Sequence, residues 1–313
     1  MLDMLISGIC QGFIWAILSL GVYIAYRLLD FADLSCEGAI TCGAAIAATL
    51  IWKGCNPYLA CLAACAGGCA AGTMTGLLHT KLKIPPILAG ILTMISLYSI
   101  NIHIMDIASG RSGTSNLSLL NYKDKTVYAT IDNLLGIGKT FSSLLLGAVI
   151  IALVIALLYW FFGTEIGAAI RATGTNEKMC RAQGINTDVT KIIGLAAANG
   201  MIALSGALLC QYQSYSDVGM GIGSIVIGLA SIIIGETVFA KAKGFAVKLL
   251  GIVVGAVLYR VVVAFVIYSG MPSTDLKLMT AVVVAVALSL PILRNKFMVS
   301  RKKHNGAAKK AED

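Results

Sequence analysis

Along this chain, apolar runs long enough to cross a bilayer alternate with shorter polar breaks. About 20 apolar residues at 1.5 Å per helical residue cover the ~30 Å hydrocarbon core of a membrane. Nine stretches meet or approach that length: about 3–26, 35–53, 57–79, 84–106, 140–162, 190–212, 221–240, 245–268 and 275–293. A backbone in hydrocarbon must satisfy its own N–H and C=O groups, so these runs predict helices. The second and seventh begin beside polar or Gly-rich residues, and a broken or re-entrant helix is expected at either. The pattern predicts an all-α polytopic membrane domain over 1–293 and a basic tail, 294–313, too short and polar to fold alone.

Two polar breaks are longer than a turn. The first, 107–139, is rich in Ser, Thr, Asn and Gly and predicts a small cap or irregular loop. The second, within 163–190, reads "GTEIGAAIRATGTNEKMCRAQGIN". Thr164 is placed to cap a short helix with Glu165 at its positive end and Arg171 near its negative end. Asn176 is placed to cap another, with Glu177 at its start, Arg181 in its last turn and Gly184 as its stop. A Gly-containing bend, "TGT", is expected between them, and Thr187 or Asp188 is expected to cap the next span. On the residues alone, two readings remain open: a solvated connection, or a docking surface for a soluble partner.

Composition agrees with the pattern. The chain of 313 residues is 58% hydrophobic and only 12% charged, too little charge to cover a soluble surface of this size. Its 33 glycines suit close approach of membrane helices. The net charge of +9 raises the question of nucleic acid, but the placement of Lys and Arg answers it. With the first terminus outside and the last inside, 17 of the 24 basic residues fall on the inner side, six outside, and Arg260 within a span. This is the positive-inside bias of a membrane protein with an odd number of crossings. The opening run lacks a basic leader and reads as a retained first span.

Catalytic signatures are weak. "GIGKT" ends like a phosphate-binding loop, but Asn133 stands where the first glycine belongs. Cys61, Cys65 and Cys69 share a helix face, yet their neighbours are Ala and Gly, and no His or carboxylate joins them, so they read as small hydrophobes and no metal site is assigned. No catalytic residue is assigned.

The segments "GAAIRATGTNEKMCRAQGIN", "GLAAANGMIALSGALLCQYQSYSDVGMGIGSIVIGLASIIIGE" and "YRLLDFADLSCEGAITCGAAIAA" resemble the membrane permeases of ABC importers. They are similar to the branched-chain amino acid and ribose permease superfamily, and within it to the tryptophan/tyrosine-type permeases. The resemblance implies a permease subunit in the bacterial cytoplasmic membrane, moving a small organic solute such as an amino acid by alternating access. It implies a second permease copy, two cytoplasmic ATPase subunits that use ATP and Mg, and an external solute-binding protein. It also implies that 163–190 is the coupling region, with Glu165, Arg171, Gly174, Asn176, Arg181, Gly184 and Ile185 facing that task; Cys180 departs from the small residue usual there. No cofactor bound by this chain is implied. An ion-coupled secondary transporter, or a permease of the same superfamily for a sugar or nucleoside, are the alternatives.

Polar groups inside spans are costly and mark candidate pathway positions. These are Asp33, Glu37, Asn101, Asn199, Gln211, Tyr212, Glu236 and Arg260. Glu236 is expected to pair with Lys241, Lys243 or the coupling region, and Arg260 to need Glu236 or Asp33, backbone carbonyls or water.

Overall fold

A computed structural model describes residues 2–136, 138–239, 244–270, 275, 278, 280–286 and 289. Helices α1 (Leu2–Tyr23), α2 (Cys36–Trp52), α3 (Pro57–Thr80) and α4 (Pro86–Ser109) come first, with a π-helical turn, Ile24–Leu28, closing α1. The strand β1 (Asn116–Ser118), a 3₁₀ turn (Leu120–Lys125) and α5 (Val127–Leu135) follow. The chain continues as α6 (Lys139–Gly163), α7 (Glu165–Thr175), α8 (Glu177–Ala182) and α9 (Thr187–Gln213). It ends in β2 (Tyr215–Asp217), the 3₁₀ turn Val218–Gly221, α10 (Ser224–Val238) and α11 (Phe245–Tyr268). Among the described residues, seven helices have membrane-spanning length and apolarity, and Cys36–Trp52 is a shorter apolar one. Of the expected span 275–293, residues 278, 280–286 and 289 are helical and the rest, apart from 275, lie outside the described residues, as does the tail 294–313.

Helix α9 is the post around which the bundle is built. Small residues let its neighbours reach its backbone, which is how membrane helices gain packing where lipid offers no hydrophobic drive. On α3, Gly68 and Gly72 lie one turn apart against the backbone of Asn199 and Leu195, where a Cβ has no room. The outer faces of α4 and α6 carry Leu88, Leu92, Leu153 and Leu157 exposed, as a lipid-facing surface requires.

The ends of the bundle differ. At one end α7 and α8 lie together. At the other, β1 pairs antiparallel with β2, with Leu117 opposite Ser216, so the expected loop 107–139 is an ordered cap. Thr126 caps α5 through the Ala129 N–H, and Gln211 of α9 accepts the Val127 N–H at 2.9 Å.

Of the expected irregular spans, the second is a short helix, α2, and the seventh reaches spanning length, Val218–Val238, only by joining α10 to the 3₁₀ turn before it; both α-helices begin inside the bundle. Residues 29–35 lead from the α7–α8 end to the start of α2. Residues 218–223 lead from the β-pair end to the start of α10, whose N-cap is Gly223. The two starts meet, because the Gly223 N–H donates to Glu37 Oε1 on the first turn of α2 at 2.9 Å.

Candidate functional site

The polar block folds as two capped helices, with corrections of detail. Thr164 Oγ accepts from Gly167, and Asn176 Oδ1 accepts from Met179 at 3.0 Å. Gly184 has φ +82°, the left-handed value that a β-carbon disfavours. The bend, however, is at Asn176 and not at "TGT": α7 runs through Gly174 to Thr175, and Asn176 is extended at φ −157°, ψ 95°. Gly174 serves a different need. It lies against Leu28 so closely that a Cβ there would run into the Leu28 carbonyl. The cap of α9 is Asn186, not Thr187 or Asp188; its side chain accepts from Asp188 and Val189.

A charge network locks the block to the bundle. Glu177 accepts from Arg181 Nη2 and from Lys191 Nζ, each at 2.8 Å, and from Thr187 Oγ at 3.2 Å. The Lys191 hydrogen bond, more than any other influence, holds the Glu177 carboxyl below the usual carboxylate range. Lys191 Nζ also reaches His79 Nε2 at 3.4 Å, and His79 Nδ1 donates to the Ile84 carbonyl at 2.9 Å. The His79 ring meets Phe31 edge-on at 5.1 Å. The stretch 28–31 is therefore touched twice, by Gly174 at Leu28 and by the Glu177–Lys191–His79 chain at Phe31.

Arg171 and Arg181 both have partners within the chain, although the Arg181 side chain remains 54% exposed. Arg171 lies 5.5 Å from the Phe245 ring, and Arg181 also bonds Thr187 and Asp188. Glu165 is exposed and Ile185 half-buried. The outward face of the block also carries Ile166, Lys178 and Met179, the two apolar ones 51% and 47% exposed. Met179 was not among the residues the sequence pointed to; its signal was an apolar side chain between Lys178 and the buried Cys180 on a short helix with charged ends.

Within the bundle, Asp33 is buried at 2% exposure, not solvated at an interface. Its Oδ1 accepts the Ser35 N–H at 2.8 Å, and its Oδ2 accepts from Asn199 Nδ2 at 2.7 Å. Ser35 Oγ in turn donates to Asn199 Oδ1 at 3.2 Å. Asn199 is the thirteenth of the 27 residues of α9, so this junction sits at half the helix length. Gly90 of α4 leaves room for the Asp33 turn.

The remaining candidates separate. Glu37 and Asn101 line one cavity of about 440 Å³ with Thr41, Met94, Tyr98 and Ser99. Gln211 and Tyr212 border another, of about 280 Å³, beneath α5, where Ser7 and Tyr212 share a 3.0 Å bond. Glu236 pairs bidentately with Arg27 at 3.0 Å, while its expected partners Lys241 and Lys243 lie outside the described residues. Arg260 takes neither Glu236 nor Asp33: its guanidinium stacks on Trp15 at 4.2 Å, an aromatic face standing in for a carboxylate.

Residues 4–287 match the family described as the branched-chain amino acid transport system permease component. The chain belongs to this permease family. It is 40% identical over 285 residues to the tyrosine transport system permease protein of Clostridioides difficile (strain R20291), covering 91% of this chain and 90% of the relative. It is 29% identical over 291 residues to an uncharacterized protein of Rickettsia prowazekii (strain Madrid E), covering 92% and 98%. It is 24% identical over 244 residues to the ribose import permease protein RbsC of Escherichia coli (strain K12), covering 78% and 71%. No solved structure matches it. The permease is thus a polytopic all-α membrane component of a transport system, the class the resemblance implied.

Proposed function

We propose that this permease carries an amino acid with an aromatic side chain inward across the cytoplasmic membrane, driven by ATP hydrolysis in partner subunits. The 40% identity to a tyrosine transport permease over nine-tenths of both chains supports the solute class. The α7–α8 end faces the cytoplasm and meets an ATPase subunit; the β1–β2 and α5 end faces outward and receives solute from a binding protein. Two permease copies and two ATPases make the working assembly.

The observation that carries the coupling reading is the double grip on residues 28–31. A push on α7–α8 reaches Leu28 through Gly174 and Phe31 through Glu177, Lys191 and His79. Two to five residues on lie Asp33 and the start of α2, in the middle of the bundle. Rigid capped helices thus pass a displacement to the short packed stretch 29–35, which leads directly into an intramembrane helix start. Packed interfaces of this kind shift between discrete arrangements more readily than they deform.

The contact surface is assigned to Ile166, Lys178 and Met179, because Arg171 and Arg181 are already spent internally. Replacing Lys178→Glu and Met179→Asp together alters only exposed side chains, so insertion and thermal stability should hold. Copurification with the ATPase and ATP-dependent uptake should both fall at least tenfold. A doubly substituted permease that copurifies and transports normally removes the docking assignment.

A further inference from the structure

The cavity between α2, α4 and residues 218–222 combines an acceptor without a donor, a half-satisfied carboxylate and no cation. Asn101 is 1% exposed; its Nδ2 donates to the Gly38 carbonyl at 3.3 Å, while its Oδ1 has no partner among the described residues. Glu37 uses Oε1 for the Gly223 N–H at 2.9 Å, and its other oxygen carries no hydrogen bond among the described residues. Both line a space of about 440 Å³ that also presents the Tyr98 and Ser99 hydroxyls beside Met94 and Ile95. That volume is within the range of small-molecule sites, mostly apolar with a few convergent polar groups.

The chemistry of those groups selects the ligand. A buried acceptor left open favours whatever brings a donor, and an unshared carboxylate oxygen favours positive charge. Among the described residues no Lys, Arg or His lines the space, so an anionic group gains nothing from them there. We infer that this cavity is an intramembrane site for a primary ammonium group, held by Glu37 Oε2 and Asn101 Oδ1, with the ligand's apolar body against Met94, Ile95 and Tyr98. The inference rests on the transport reading above for its place on a solute path, and it adds which end of an amino acid the membrane subunit reads. Asp33, the other carboxylate near α2, is committed to Ser35 and Asn199 and takes no part.

Labelling at position 99 tests the site without needing transport. Ser99 is exposed to the cavity, and Ser99→Cys is compared with Ser99→Cys/Glu37→Gln, the glutamine oxygen keeping the Gly223 hydrogen bond. Site-resolved mass spectrometry follows modification of residue 99 by a cationic and an anionic methanethiosulfonate. In Ser99→Cys the cationic reagent should react at least fivefold faster, and Glu37→Gln should remove that preference. In a second arm, which needs no change at Glu37, tyramine should slow modification by a neutral methanethiosulfonate, whereas 3-(4-hydroxyphenyl)propanoate should not. Charge-blind labelling, or equal protection by the amine and the acid, overturns the ammonium site. Charge-selective labelling in a permease without ATP-dependent amino acid uptake removes the transport reading and leaves the site standing; uptake with charge-blind labelling does the reverse.

Discussion

Asn199→Ala is the substitution that most directly questions the intramembrane junction. It deletes the 2.7 Å bond to Asp33 Oδ2 and the 3.2 Å bond from Ser35 Oγ, leaving Asp33 only the Ser35 N–H. A hydrogen bond to a charged group contributes about 1.5–3 kcal/mol and a neutral one about 0.5–1.5 kcal/mol. Polar contacts between membrane helices run toward the low end of such ranges. The expected loss is therefore about 2–3 kcal/mol, or about 5–10 °C in Tm at the 2–4 °C per kcal/mol typical of larger domains. Asn199→Asp should be worse, since it sets a second carboxylate against Asp33. The exchange Asp33→Asn/Asn199→Asp restores one donor and one acceptor across the same contact with the direction reversed, Asn at 33 donating and Asp at 199 accepting, and should recover most of the loss. Fluorescence-detected size-exclusion thermal scans in detergent read all four proteins. If Asn199→Asp is as stable as the native chain, or the exchange recovers nothing, the contact does not hold the start of α2.

Three further outcomes follow from contacts elsewhere. Gly174→Ala should lower ATP-dependent uptake at least tenfold while ATP hydrolysis continues, because a Cβ displaces Leu28; overpacking of this sort costs about 1–3 kcal/mol, and Gly163→Ala, which meets nothing, is the control. Glu177 has a depressed carboxyl, so its contribution is complete above the unfolded value of about 4.3 and is lost as pH falls through the lower folded value. The Tm difference between the native chain and Glu177→Gln should accordingly be constant from pH 7 to about 5 and shrink below about pH 4. Gln211→Leu strands the buried Val127 N–H, at about 1–3 kcal/mol, and should speed hydrogen exchange across 127–132 by tenfold or more, with α9 itself unaffected.

What the sequence disclosed, and what it hid, follows the range of the forces involved. Thr164, Asn176 and Gly184 were readable because a cap is a contact with a backbone group two or three residues away. Lengths of apolar runs were readable because hydrocarbon thickness is external to the fold. The bend at Asn176 was misplaced because glycine was read as freedom, whereas Gly174 is there for a close approach to Leu28, nearly 150 residues earlier. Arg27 and Glu236 stand 209 positions apart, and no local pattern joins them. For Arg260 the sequence left a carboxylate, backbone carbonyls or water open, and the Trp15 ring face was not among them, because that contact joins residues nearly 250 positions apart. Likewise Arg171 and Arg181, charged and in the right block, read as surface, and only the packing showed them turned toward Phe245, Glu177 and Asp188.

The two short helices give the middle of the bundle its electrical character. Each helix start carries unpaired N–H groups and about half a positive charge. The chain enters the start of α2 from one side and the start of α10 from the other, and each is answered by one carboxylate: Asp33 accepts from Ser35 ahead of α2, and Glu37 accepts from Gly223 at the cap of α10. Shared with a helix start, the Glu37 charge is partly offset, which at the proposed ammonium site would weaken the hold on a cation without removing the preference for one. A carrier site must release as readily as it binds. Residues 29–35 also connect the contacts at Leu28 and Phe31 to the same helix start, so a motion that shifts α2 relative to Gly223 would change how much of Glu37 is offset. On the proposed coupling, ligand binding and displacement of α7–α8 would then act on one atom pair, Glu37 Oε1 and the Gly223 nitrogen.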